Sequence, residues 1–378
     1  MRQDLVPSYT KAGDNSPTVQ YISVSSQPHV TFLARPILWT CRLLVRKCSS
    51  RELHNKLDTH VIMWFKEKTD PNDKDAIRPV CPSGSEPIKA TRFRRIATLT
   101  AVSVLRRLGS QKGQTLMLPG GICIKYSEWA DLGEASSMEF IRHNTSIPIP
   151  KIYCAFKHKK HTYIVMERVK GHIIGSYWLE RSEDSRTRLL AQLKHFVDEM
   201  RALQPPGPGI ANANGGSLHD LRLPGLWLDE PVCTAIRFGP FEDIPAFHRW
   251  LTKPFDQPND TLPAESNDLI KQYRDTDWGQ PVFTHGDLNC LNILVDGEKI
   301  TGIIDWETAG WYPSYWEYTT AHQMNIRNLF WYDYIDRFLE PRPKELEMDR
   351  SRQYRFGLFG FGRQACDGLN PAISNMLM

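Results

Sequence analysis

The chain has no CxxC pair among its eight cysteines and no His-rich cluster beside them, which excludes the usual structural zinc and redox dithiol patterns. Thiols scattered in this way suit a reducing compartment, so the cytoplasm is the expected location. Long apolar runs are missing as well. The longest, residues 30–45, is broken by Arg35, Pro36 and Arg42, short of the roughly 20 apolar residues a membrane span needs. The first residues lack the pattern of a secretory signal. Residues 16–51 contain no acidic side chain and resemble a mitochondrial transit peptide in composition, although Asp4 and Asp14 oppose that alternative. There is no internal repeat, and net charge is small: 47 basic against 43 acidic side chains give +4, too even for a nucleic-acid binder.

What charge there is lies unevenly. Residues 1–120 carry 19 Lys/Arg against 9 Asp/Glu, and residues 121–378 carry 28 against 34, a balance of −6 that favours a neutral or cationic small-molecule partner. With 378 residues, 41% of them apolar and 24% charged, the chain has material for two or three domains or one large two-lobed one. Residues 1–89 read as an irregular extension, interrupted by Pro, Ser and Asn/Asp clusters. Residues 96–105, rich in β-branched side chains, read as one or two strands, and residues 121–126 as a short buried strand carrying the single charge Lys125. A helix is expected over 132–143, stopped by Ile147-Pro148-Ile149-Pro150. A strand pair is expected over 153–156 and 162–166. Residues 182–203 carry an apolar stripe of helical period behind Ser182, a plausible N-cap. The outcome is an α+β chain with a small strand-rich lobe at 90–169, a larger, mainly helical lobe at 170–345 and a tail at 346–378.

The chemistry concentrates in residues 282–307. Apolar pieces at 293–295 and 300–304 flank Asp296-Gly297, a hairpin turn signal, so the outer ends of the hairpin meet. Asn292 stands at one end and Asp305 at the other, and Asp287 lies five residues upstream of Asn292. Converging oxygen ligands suit Mg2+, and a further carboxylate can take the proton of an attacking hydroxyl. Asp287 fits that base, with Asn292 and Asp305 as metal ligands, whereas the hairpin alone accounts for Asp296.

His285-Gly286-Asp287-Leu288, Asn292 and Ile304-Asp305-Trp306-Glu307 together resemble the core of the aminoglycoside phosphotransferase family, which has the protein-kinase-like fold. Residues 309–313 and 316–318 are similar to its fungal branch. The resemblance covers roughly residues 95–345 and implies ATP and Mg2+ as cofactors. It implies that Asp287 is catalytic, that Asn292 and Asp305 hold the metal and that His285 braces the loop. Lys125 is then expected to bind the ATP phosphates and to need a carboxylate partner on the next helix. At 100° per residue Glu134 shares the inward stripe with Met138 and Ile141 and Glu139 points away, so Glu134, rather than Glu139 or Glu128, is the partner. Residues 163–169 would run into the hinge, where the backbone from Glu167 to Val169 meets the adenine edge. Trp306, Trp311, Tyr312, Tyr315 and Trp316 are expected to pack the segment after the metal site rather than to form a substrate wall.

Two features depart from the family. No full glycine-rich turn is evident, only residues 107–113 with two glycines, and the Gly/Phe run at 356–362 has no counterpart. A non-catalytic, kinase-like binding module is therefore the rival to a small-molecule kinase. A protein kinase is disfavoured, because the second carboxylate motif reads Asp-Trp-Glu instead of Asp-Phe-Gly and no Ala-Pro-Glu follows.

Overall fold

The computed structural model describes residues 83–356 except 106–110, 113, 129, 221, 224–236, 253–256, 259–261 and 324–325, together with the backbone of residues 5–8 and 20–23. Residues 1–49 and 50–378 form separate units. In the first, β1 (Leu5–Ser8) pairs antiparallel with β2 (Gln20–Ser23). Residues 107–110 and 113 of the two-glycine stretch, and the Gly/Phe run from 357 onward, lie outside the described residues.

In the second unit, α1 (Arg92–Leu105) replaces the strands expected at 96–105. Thr98 and Val102 lie four residues apart and are buried, with Leu99, Ala101 and Leu105 packed on the same cluster. Burial at helical spacing outweighs the few tenths of a kcal/mol per residue by which β-branched side chains disfavour a helix. Then come β3 (Gln111–Lys112), β4 (Thr115–Leu118), β5 (Ile122–Ser127), α2 (Leu132–Asn144), β6 (Ile152–His158) and β7 (His161–Glu167). The five strands form one antiparallel sheet in the order β3-β4-β5-β7-β6, with α2 crossing between β5 and β6. The Asp131 side chain caps α2 by accepting the Gly133 N–H at 2.7 Å, and the helix stops at Thr145, just before the two prolines. Residues 83–88 reach this lobe through an Ile88–Ala155 bridge.

The rest is mainly helical. It holds β8 (His172–Ile173), α3 (Glu183–Arg201), β9 (Leu218–His219), β10 (Arg237–Phe238), α4 (Ile244–Leu251), α5 (Ala264–Asp275) and β11 (Val282–Thr284). Next are β12 (Ile293–Asp296), β13 (Lys299–Ile303), β14 (Gly310–Tyr312), α6 (Trp316–Ala321), α7 (Tyr332–Ile335) and α8 (Pro343–Phe356). Ser182 caps α3 as expected, accepting from the Ser185 N–H at 3.2 Å. The result is a two-lobe α+β architecture. One buried cluster joins the lobes, running from Met138 and Ile141 of α2 and Ile164 of β7 to Leu193 of α3, Ile293 of β12 and Trp306. The five aromatic side chains expected to pack after the metal site are all buried, at 2% exposure or less. Among the described residues no helix is long and apolar enough to cross a membrane.

Candidate active site

The hairpin β12–β13 pairs Asp296 with Lys299, leaving Gly297-Glu298 as a two-residue loop with Gly297 at φ +58°. At its open end Ile303 pairs with Ile293, and the Ile304 N–H donates to the Asn292 carbonyl at 2.9 Å. One rung of backbone pairing therefore sets Asn292 beside the start of the Asp305 turn, as the turn signal implies. The Asn292 Nδ2 donates to the Asp287 carbonyl at 2.9 Å and to Asp287 Oδ2 at 2.8 Å. Its amide N–H2 is thus spent on Asp287, which leaves Oδ1 as the atom available to a cation.

The loop bearing Asp287 is held from several sides. Gly286 sits at φ +78°, and a Cβ there would come within 3.1 Å of the Thr308 carbonyl, so the position favours glycine. Glu317, buried on α6, accepts the N–H groups of His285 at 2.7 Å and Gly286 at 3.1 Å. His285 is fully buried. Its Nδ1 accepts the Asp287 N–H at 3.2 Å, so Nε2 carries the proton and donates to the Ile304 carbonyl at 3.1 Å. A neutral imidazole bridging two loops matches a bracing role, and burial, only partly offset by Glu317, holds its pKa below the usual value.

Lys125 on β5 makes the second constellation. Its Nζ lies 2.8 Å from Glu134, 2.6 Å from Asp305 and 3.1 Å from Glu307. Glu134 is buried on α2, while Glu139 turns aside to Lys89 at 3.6 Å, as the helical arithmetic predicts. Burial opposes charge on Lys125, but the three carboxylates outweigh it and raise its pKa well above the ordinary value. Burial likewise raises Glu134, against the pull of Lys125 and with Asp305 and Glu307 pushing the same way. Burial would raise Asp305 too, yet Lys125 holds it lower. Asp305 adopts left-handed geometry, φ 67° and ψ 57°, a conformation that costs on the order of 1 kcal/mol and is best tolerated by Asp and Asn. Strain of this kind is stored where a side chain must point in a particular way.

The donor set fits a hard divalent ion. One ammonium faces three carboxylates whose oxygens lie within 4.8 Å of one another, an excess of negative charge, and Asn292 Oδ1 adds a neutral oxygen across the hairpin end. Glu167 and Val169 stand at the end of β7, which pairs with β5 so that Lys125 faces Ile164. The N–H groups of Glu167 and Arg168 are engaged by the Lys151 and Gly121 carbonyls, at 2.9 and 2.8 Å. The Val169 side chain packs where a Cβ on Gly302 would stand, at 2.9 Å. Lys125, Glu134 and Asp305 are thus brought together, Asp287 and Asn292 are brought together, and Glu167 pairs with Ile122 at the start of β5, with Val169 two residues beyond.

Four further residues went unassigned in the sequence. Glu307 lies in the stretch on which the family resemblance rests and Glu317 follows it in sequence, but neither offers a role by itself. Asp220 and Arg222 carry no sequence signal at all. Burial raises the Asp287 pKa to about 6 from its usual 3.8, with Arg222 pulling it down and Asp305 pushing it up. The Asp287 side chain keeps 37% of its surface open, so a hydroxyl can reach it.

Residues 133–341 match the phosphotransferase enzyme family. Among solved structures the chain is similar to an aminoglycoside phosphotransferase, APH(4)-Ia, at 17% identity, a TM-score of 0.41 and coverage of 68% of this chain and 86% of the other. It is also similar to APH(2")-IIa in complex with gentamicin, at 13% identity, a TM-score of 0.38 and 64% and 77% coverage. A third is a macrolide 2'-phosphotransferase from Brachybacterium faecium, at 15% identity, a TM-score of 0.36 and 68% and 82% coverage. No curated protein matches the chain.

Proposed function

The chain belongs to the phosphotransferase enzyme family, and from that premise we propose that it transfers the γ-phosphoryl group of ATP to a hydroxyl of a small, neutral or cationic molecule, using Mg2+. The observation that carries this reading is the Lys125 contact with both Glu134 and Asp305, side chains 9 and 180 residues away. An ammonium fixed by a carboxylate on the neighbouring helix is the arrangement that orients nucleotide phosphates. Asn292 and Asp305 would hold Mg2+, which supplies charge neutralisation on the phosphates. Asp287 takes the proton of the acceptor hydroxyl as the new O–P bond forms and the bond between the γ-phosphorus and the leaving ADP oxygen breaks. Backbone groups between Glu167 and Val169 other than the Glu167 and Arg168 N–H, which are already bonded, receive the adenine edge. In this reading residues 90–169 and 170–345 are the two lobes of one catalytic unit.

The test is phosphoryl transfer from ATP across amino sugars, choline-like amines and neutral hydroxyl metabolites, beside a thermal shift with Mg-ATP. Nucleotide at a hundred times its dissociation constant stabilises by about 2.7 kcal/mol. We expect turnover with at least one acceptor, and loss of about a thousandfold or more in Asp287→Ala with the thermal shift retained. A shift without turnover in the wild type supports the rival, a non-catalytic binding module. Full turnover in Asp287→Ala overturns the assignment of the base.

A further inference from the structure

Arg222 lies between β9 and β10, 65 residues from Asp287 in sequence, and belongs to no motif. Its partner Asp220 is almost fully buried, with 2% exposure. Arg222 Nε donates to Asp220 Oδ1 at 2.8 Å and Nη2 to Oδ2 at 2.7 Å, a two-point fork, and the Arg222 backbone N–H donates to the same Oδ1 at 2.9 Å. The two-point fork fixes the plane of the guanidinium, and the backbone bond holds the carboxylate that anchors it. What remains of it faces the loop that carries Asp287. Nη2 also donates to the Gly286 carbonyl, and Nη1 lies 3.5 Å from Asp287 Oδ1.

We propose that Arg222, locked by Asp220, is a positioning residue for the catalytic loop: it holds the Gly286 carbonyl and the Asp287 carboxylate in the geometry that phosphoryl transfer uses. The role in turnover rests on the proposed function; the clamp itself does not. The backbone on the two sides of Gly286 is gripped at three points. Glu317 takes the Gly286 N–H, His285 takes the Asp287 N–H, and Arg222 takes the Gly286 carbonyl. Gly286 is also where the backbone is freest to turn, because its left-handed φ costs it nothing. A carbonyl released there lets the Asp287 carboxylate rotate away from the position set by Asn289, whose Nδ2 donates to Oδ1 at 3.0 Å, and by Asn292. Lysine cannot replace the clamp, since one ammonium cannot keep a two-point hold on Asp220 and also reach both loop oxygens.

The experiment compares the wild type with Arg222→Ala, Arg222→Lys and Asp220→Asn in the full chain. Hydrogen exchange of peptides covering residues 284–292 reads the clamp without reference to activity, and steady-state transfer reads its consequence. We expect exchange in that segment to rise at least tenfold in Arg222→Ala and Arg222→Lys while the rest of the protein keeps its protection. We also expect kcat to fall by about a hundredfold, the scale of a displacement near 1 Å, with the Mg-ATP dissociation constant unchanged within twofold. Guanidinium ion added to Arg222→Ala should recover part of kcat, and ammonium should not. If Arg222→Ala fails to fold, Asp220→Asn, which keeps the guanidinium but loosens its anchor, should show the same pattern at smaller size. Unchanged exchange at 284–292 overturns the proposal. So does a general loss of protection accompanied by weaker nucleotide binding and no guanidinium rescue, because that is the signature of a merely structural arginine. If the wild type transfers no phosphoryl group, the proposed function fails, and the exchange measurement still decides the clamp.

Discussion

At Asp287 burial and charge pull in opposite directions, and the balance sets a measurable pH dependence. Burial is the largest effect and raises its pKa; Arg222 opposes it, and Asp305 adds to it, giving a value of about 6. A base must be ionised to accept a proton, so a raised folded pKa moves the acid limb of the rate profile upward. We expect kcat/KM, which reports the free enzyme, to fall tenfold per pH unit below about 6 and to be level from 7 to 8. An acid limb near 4 would contradict the environment described for this carboxylate. Asp287, Asn292 and Asp305 were legible because a hairpin turn is a local signal and its geometry forces the two ends together. Lys125 stood out as the lone charge of an apolar strand, and Glu134 followed from helical angles. Glu317, Asp220 and Arg222 were not legible as parts of the site. Glu317 and Arg222 reach the loop across 31 residues or more, Asp220 acts only through Arg222, and no spacing rule relates a buried acid on α6, or an arginine after β9, to a glycine in a distant loop.

Among the elements, α2 carries the most consequence, since it presents Glu134 to Lys125. Its N-cap, Asp131, is tied to both lobes, to Lys157 on β6 at 2.9 Å and to Arg237 on β10 at 3.4 Å. Burial would raise the Asp131 pKa, but Arg237, Ser83, the Gly133 N–H and Lys157 outweigh it and lower the value from 3.8 to about 2. A depressed folded pKa contributes stability that is present above the unfolded value and lost as pH falls through the folded one. Asp131 therefore stabilises the fold by about 2 kcal/mol at neutral pH, and that contribution disappears between about pH 4 and pH 2. We expect Asp131→Ala to lower the urea unfolding free energy by about 2 kcal/mol at pH 7, including the lost cap, and by much less at pH 2. A loss equal at both pH values would show that the ion pairs contribute nothing. The helix at 92–105 teaches the converse. Its β-branched content pointed to strands, and the burial of Thr98 and Val102 on one face decided otherwise.

At the largest scale, the buried cluster that joins α2 and β7 to α3 and β12 runs through both lobes, and we expect them to unfold together. Cys123 sits in the strand-rich lobe and Cys290 in the helical one, and burial pushes both thiols up to about 11. Neither reacts readily while folded, because the thiolate is the reactive form. Site-resolved thiol labelling in urea should open both at one midpoint, coincident with the loss of circular dichroism. Opening of Cys123 at lower urea would mean that the lobes unfold separately. By itself the sequence determined the run of β5, α2, β6 and β7, the cap of α3, the hairpin β12–β13 and the residue types that the candidate site offers. Those follow from hydrogen bonding, capping and periodicity, which act within a few positions along the chain. Only the tertiary structure decided that Lys125 meets Asp305 and Glu307 as well as Glu134, that Arg222 reaches the Asp287 loop and that residues 92–105 coil. These outcomes depend on closing loops of 65 to 182 residues or on burying one face against a distant sheet, and a local pattern carries no record of which distant surface that will be.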